Sequence, residues 1–219
     1  MSIRVEPLAA TATPPRRHAL GLPAGSVRAL LALGVLGLAW AIVLRYHYGT
    51  PLTEKTLPLA FVYLQFLMVL ILAHFFAAHG STIGPHISSG SPLHLPRGSV
   101  RFVLLAGYLG LSGYLYFNQQ DFEFPANVPF VVPVGLLISG FLLGHVLTGL
   151  MRVVGRGQLP DWFVDFEAWV ALISLLGLGV LLLVHVLINP SVSSELKVDM
   201  PTVEAGLAAV IGFYFGARS

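Results

Sequence analysis

The chain has no cysteine, and only 10% of its 219 residues are charged. The first absence removes disulfides, thiolate metal sites, iron–sulfur clusters and covalently attached c-type haem. The second lies far below the roughly 25% of a soluble domain, so lipid is the expected main solvent. The net charge of +2 leaves no basic stripe of the kind a nucleic-acid partner needs. No nucleophile–base motif, phosphate loop or HExxH pattern occurs in the sequence. Those spacings are what intramembrane hydrolysis, nucleotide chemistry or zinc catalysis would use. The sequence carries no signature of an enzyme.

What is present is apolar. Hydrophobic residues make up 56% of the chain and gather in six stretches, about 26–46, 57–79, 99–117, 128–151, 164–188 and 202–216. The first five reach the ~20 residues that a helix needs to cross the hydrocarbon core. The sixth, with Glu204 at one end and Arg218 at the other, covers about 22–25 Å at the helical rise. It is expected in a locally thin bilayer or inside the bundle. Short polar connections leave no room for a soluble domain. The expected fold class is all-α integral membrane, with six transmembrane helices arranged as two or three parallel helical-hairpin repeats.

Lys and Arg set the expected direction. Arg4, Arg16, Arg17, Arg28, Arg97, Arg101, Arg152, Arg156 and Arg218 fall on the N-terminal side, against Arg45, Lys55 and Lys197 on the other. Both termini are therefore expected in the cytoplasm, with the chain in a bacterial inner membrane. The acids Glu54, Asp121, Glu123, Glu195, Asp199 and Glu204 are placed on the opposite side. Arg16-Arg17 precede a full span with no A-x-A-like site behind it, so residues 1–21 read as a cytoplasmic basic tail rather than a cleaved signal.

Two copies of one phrase organise the rest. Leu22-Pro23-Ala24-Gly25-Ser26-Val27-Arg28 returns as Leu95-Pro96-Arg97-Gly98-Ser99-Val100-Arg101, and each copy opens a long apolar run. Setting Pro160 in register with Pro23 and Pro96 adds a diverged third copy, which places Asp165 opposite Arg28 and Arg101. The hairpins then run 22–94, 95–158 and 159–219, related by an axis along the membrane normal and closed as a pseudo-threefold ring within one membrane domain. In this reading Ser26 and Ser99 are N-caps, and Arg28, Arg101 and Asp165 meet at one cytoplasmic ring. Small residues recur at matched depths, including Gly34, Gly107 and Ala171 in the first helices. Gly107-Gly110-Gly113, Gly140-xxx-Gly144 and Ala208-xxx-Gly212-xxx-Gly216 form tracks where helices can approach closely.

Interior ionisable groups mark function in membrane proteins, and only histidines are expected at that position: His74, His145 and His185. His74 and His145 are equivalent in the register, with Phe213 in the third copy. Two imidazoles at one depth could ligate a b-type haem; the plainer reading is a hydrogen bond from each to a neighbouring helix. His185 lies near the opposite face. His79, His86 and His94 belong to the loop after the second span and match no tight metal signature. Trp162 and Trp169 sit where an aromatic belt would anchor the fifth span.

The ending Gly212-Phe213-Tyr214-Phe215-Gly216-Ala217-Arg218-Ser219 resembles the end of small holin-type membrane proteins and of various uncharacterised bacterial membrane proteins, some with an LPxGSVR-like opening. The resemblance implies a membrane-embedded, pore-forming or accessory role. The expected function is a non-enzymatic scaffold or accessory subunit of a larger membrane assembly, whose partners are the lipid bilayer and other membrane subunits or further copies of itself. The alternatives are a holin-like or small-solute pore and a haem-binding membrane anchor for electron transfer.

Overall fold

The computed structural model describes residues 19–23, 25–49, 57–77, 92–96, 98–118, 131–155, 159–189, 192 and 200–218. The basic tail with Arg4, Arg16 and Arg17, the loop histidines His79 and His86, and the segments around Lys55, Asp121, Arg156 and Lys197 lie outside these residues. Every regular element described is helical. They are α1 (Ser26–Tyr48), α2 (Leu59–Ala77), α3 (Ser99–Phe117), α4 (Val131–Val154), α5 (Asp161–Leu183) and α6 (Pro201–Ala217). A π turn, Val184–Ile188, extends α5, and short 3₁₀ turns at Ala19–Gly21 and Pro92–His94 precede α1 and α3. Five helices are long and apolar enough to cross a membrane, and this fits an all-α membrane protein. The sixth, at 17 residues, is shorter.

Prolines start these helices where a missing N–H costs nothing. Pro201 occupies the first turn of α6, and Pro160 sits just before α5. The two copies of the repeated phrase take the same local shape. Leu20 and Leu93 are left-handed at φ 59° and 53°, and Gly25 and Gly98 follow at 80° and 85°. Ser26 N–H then donates to Pro23 O at 3.0 Å, and Ser99 N–H to Pro96 O at 3.1 Å. The capping residue is therefore the glycine and not the serine, contrary to the sequence expectation. Only glycine enters the left-handed region without a Cβ penalty, and this frees each serine hydroxyl for another bond.

Contacts between helices give their directions. Gly34 faces Leu175 and Gly179 faces Leu38, while Gly107 faces Leu36 and Gly110 faces Trp40. Positions rise together in each pair, so α1, α3 and α5 run parallel. In the same way Gly140 meets Ala209 and Gly144 meets Phe213, while Leu137 meets Gly212 and Phe141 meets Gly216. Thus α4 and α6 are parallel. A Cβ on Gly144 would collide with the Phe213 carbonyl, and one on Gly216 with the Phe141 carbonyl. Backbones approach this closely only at small residues, and α4–α6 is the most extensive helix pairing in the bundle.

α6 packs on α2, α4 and α5, and α1 packs on α2, α3 and α5. Phe61, Phe215, Leu31, Ile42, Leu64 and Leu67 fill the centre and are almost wholly buried. One expectation changes here. α1 packs on α2 and α5 on α6, but α3 leans on α1 and α2 while α4 leans on α6, with little contact between α3 and α4. The middle hairpin is splayed. Half of the span window of α1 and of α2 is buried, against 17% for α3 and for α4.

Candidate functional site

The polar groups collect at the end of the bundle where α1, α3 and α5 begin and α2, α4 and α6 finish. Arg28 enters from the first turn of α1, and its Nη1 lies 3.5 Å from Nε2 of His74 in the last turn of α2. An arginine can only donate, so Nε2 accepts and the imidazole carries its proton on Nδ1. Phe215 lies edge-on to the His74 ring at 5.3 Å and Phe75 at 6.0 Å. His145, by contrast, is exposed on α4, one residue beyond the Gly144 face that meets α6. The two histidines that the register pairs thus occupy different surroundings, His74 buried and His145 exposed.

A second constellation adjoins the first. Glu167, 2% exposed on α5, forms an ion pair with Arg218, whose Nη2 stands 3.3 Å from Oε2. Its Oε1 accepts from the Thr148 hydroxyl of α4 at 3.3 Å. The same Arg218 Nη2 donates to Val164 O at 3.3 Å, and its guanidinium stands 5.6 Å over the Tyr214 ring. Tyr214 and Arg218 also lie within electrostatic range of Arg28, as does Arg101 of α3. Arg152 of α4 lies within range of Glu167. All six helices thus contribute to one polar end.

Asp165 takes a different part from the one expected. Its Oδ1 accepts the backbone N–H of Leu20 at 2.7 Å. The Ser26 hydroxyl does the same for Leu93, accepting its N–H at 3.0 Å. Each left-handed leucine therefore hands its amide to the N-terminal part of another helix: Leu20 to Asp165 of α5 and Leu93 to Ser26 of α1. Arg28 and Arg101 do come within electrostatic range of each other, while Asp165 is committed to a backbone amide.

At the opposite end, Glu204 is 1% exposed, and its Oε1 lies 3.4 Å from Nδ1 of His185 in the π turn. Glu204 is not the solvated boundary acid that the sequence suggests. Glu167 and Glu204 are the residues that sequence reasoning misses. Hydropathy treats an acid near the end of an apolar run as a boundary marker. The available signal was spacing: Glu167, Ala171, Ser174 and Leu178 lie on one helical stripe, and all four are buried. No group of three or more potential metal ligands occurs among the described residues. Gly212 and Gly216 line the α4–α6 contact, and Trp162 and Trp169 are exposed on α5. No protein-family model, curated protein or solved structure gives a significant match to the chain.

Proposed function

We propose that this chain is a non-enzymatic multi-pass scaffold or accessory subunit of a larger membrane assembly. It sits in the bacterial inner membrane with both termini cytoplasmic, and α6 serves as the sixth span inside the bundle. The excess of arginine at the polar end supports the orientation. The shared turn geometry before α1 and α3 supports descent of the hairpins from a duplicated unit.

The observation that carries the reading is the splayed middle hairpin. α3 and α4 follow one another in the chain, yet each spends its packing on other helices and leaves most of its surface uncovered. Those uncovered faces carry small residues, Ala106 on α3 and the pair Gly135-xxx-Ser139, one turn apart, on α4. A Cβ at Gly135 or Gly149 would meet open space. Helices associate in lipid through small residues that admit a second backbone, so a further helix of a partner subunit is the occupant this surface suits. The polar groups, in turn, bond one helix to another, as structural groups do.

Photo-crosslinking amino acids test the reading in native membranes. Probes at Leu109 and Leu142 should each give a discrete protein adduct, while one at Leu44 on α1 should give lipid adducts only. Lipid adducts at all three positions, with a single chain in mild detergent, would overturn it.

A further inference from the structure

Among the described residues, Arg28 at the polar end is not paired with an acid. Its hydrogen-bond neighbour is the neutral Nε2 of His74 at 3.5 Å. Its charged neighbours in electrostatic range are two more cations, Arg101 and Arg218. Arg218 is bonded on one side only: its Nη2 serves both Glu167 and Val164 O and its guanidinium donates to the Tyr214 hydroxyl, while its buried Nε has no hydrogen-bond partner among the described residues. The start of α1 adds the positive end of a helix dipole, where a cation is disfavoured. Withdrawing guanidinium groups from water requires compensation by partners of opposite charge. Glu167 supplies one negative charge, and it is shared between Arg218 and Arg152 rather than turned to Arg28.

We infer that the convergence of Arg28 and Arg218 on Tyr214 forms an anion site for a phosphate group, either a lipid headgroup phosphate or free inorganic phosphate. Planar guanidinium forks match oxyanions that present several oxygens, and phosphate offers three or more acceptors to two arginines at once. The Tyr214 hydroxyl, on a residue 3% exposed, adds a neutral donor at the inner wall. Arg28 is half-buried and the Arg218 side chain is 21% exposed, so the outer edge of the site stays reachable. The site stands apart from the proposed scaffold role and needs no partner subunit.

The test uses the full chain in a neutral maltoside detergent, with tryptophan-detected melting and native mass spectrometry. One arm titrates inorganic phosphate and the other dioleoylphosphatidylglycerol, each against sodium chloride of equal ionic strength. A saturable rise in Tm with a one-to-one adduct is expected in at least one arm. A response to the lipid alone identifies a headgroup site. A response to phosphate alone identifies a free-ion site, and a response to both a site open to either. Arg28→Gln should raise the half-saturation concentration at least tenfold, and Tyr214→Phe several-fold.

Arg28→Gln also relieves repulsion, so without probe it should melt higher than the native chain and with saturating probe lower. Arg28→Lys, which keeps the charge and loses the fork, should fall between the two. If neither probe acts beyond the salt control, or if Arg28→Gln gives the native dose response, the site does not exist. If Arg28→Gln does not fold, the Arg28→Lys and Tyr214→Phe titrations decide: native half-saturation in both overturns the proposal.

Discussion

Leu20 and Asp165 stand 145 residues apart in the chain, yet the backbone N–H of one lies 2.7 Å from the carboxylate of the other. That single bond ties the turn before α1 to the N-terminal part of α5. Its counterpart ties the turn before α3 to α1, through Leu93 and Ser26. The left-handed leucines make this possible, because a residue at φ near 55° turns its amide away from the helix that follows. The helices α1, α3 and α5 are thereby linked in succession at their starting ends.

Asp165→Ala should cost about 1 kcal/mol, the low end of the range for a donor left without its acceptor, because this bond is half-buried. Asp165→Asn keeps an acceptor of lower strength and should cost less. Exchanging charges between Asp165 and Arg28 should give no rescue, because the partner of Asp165 is a backbone amide. Melting temperatures in detergent for the single and exchanged variants check this, and a rescue would restore the three-residue ring that the register suggests.

Glycine positions sort into two groups by what a methyl group would meet. Gly144→Ala and Gly216→Ala drive a Cβ into a facing carbonyl and should destabilise by at least the roughly 1–3 kcal/mol of core overpacking. Gly149→Ala and Gly37→Ala meet nothing within 4 Å and should be neutral or slightly stabilising. Proteolysis or thermal melts of the four variants would separate the groups. Equal effects would mean that α4 and α6 do not approach as described.

Glu167 and Arg218 should behave as a coupled pair. Removing either charge leaves the other buried without compensation, at a cost of about 3–5 kcal/mol. The double variant Glu167→Gln/Arg218→Gln should cost less than the sum of the two singles. A double-mutant cycle read by reversible denaturation in micelles measures the coupling. Strict additivity would assign the 3.3 Å contact no energetic weight.

Orientation is open to direct measurement. Reporter fusions after 90 and 218 should be active in the cytoplasm, and fusions near 122 and 195 on the far side. A far-side reporter at 218 would place both ends of α6 on one side of the membrane and make that helix re-entrant.

Helix positions were legible in the sequence, since apolar runs bounded by prolines and polar loops leave few alternatives. Ser99–Phe117 coincides with the stretch read from composition. The surfaces of the α4–α6 contact were legible as small-residue tracks, because Gly140, Gly144, Gly212 and Gly216 stand one turn apart in each helix, but that these two tracks face each other was not. Faces were not legible. A span that is apolar all round carries no stripe to say which side turns inward, so the splay of α3 from α4 had no signal. The buried acids stayed hidden for a related reason. Glu167 and Glu204 differ from loop acids only in what packs on them, and their partners Arg218 and His185 come from another helix. The capping glycines were hidden behind a stronger local preference, because serine before an apolar run suits a cap and only the backbone angles reveal the exchange.

The enclosure of α6 has a consequence for biogenesis. α6 is held between α2, α4 and α5, yet it is the last of these helices to be synthesised. A nascent chain that has released only α1 to α5 has an empty slot at its centre, and Glu167 in that state lacks its arginine. Packing of α2, α4 and α5 around α6 can follow only after α6 arrives, so insertion and final compaction are separate events in time. The interval between them is when a membrane chaperone or a quality-control protease meets this chain in its most vulnerable form.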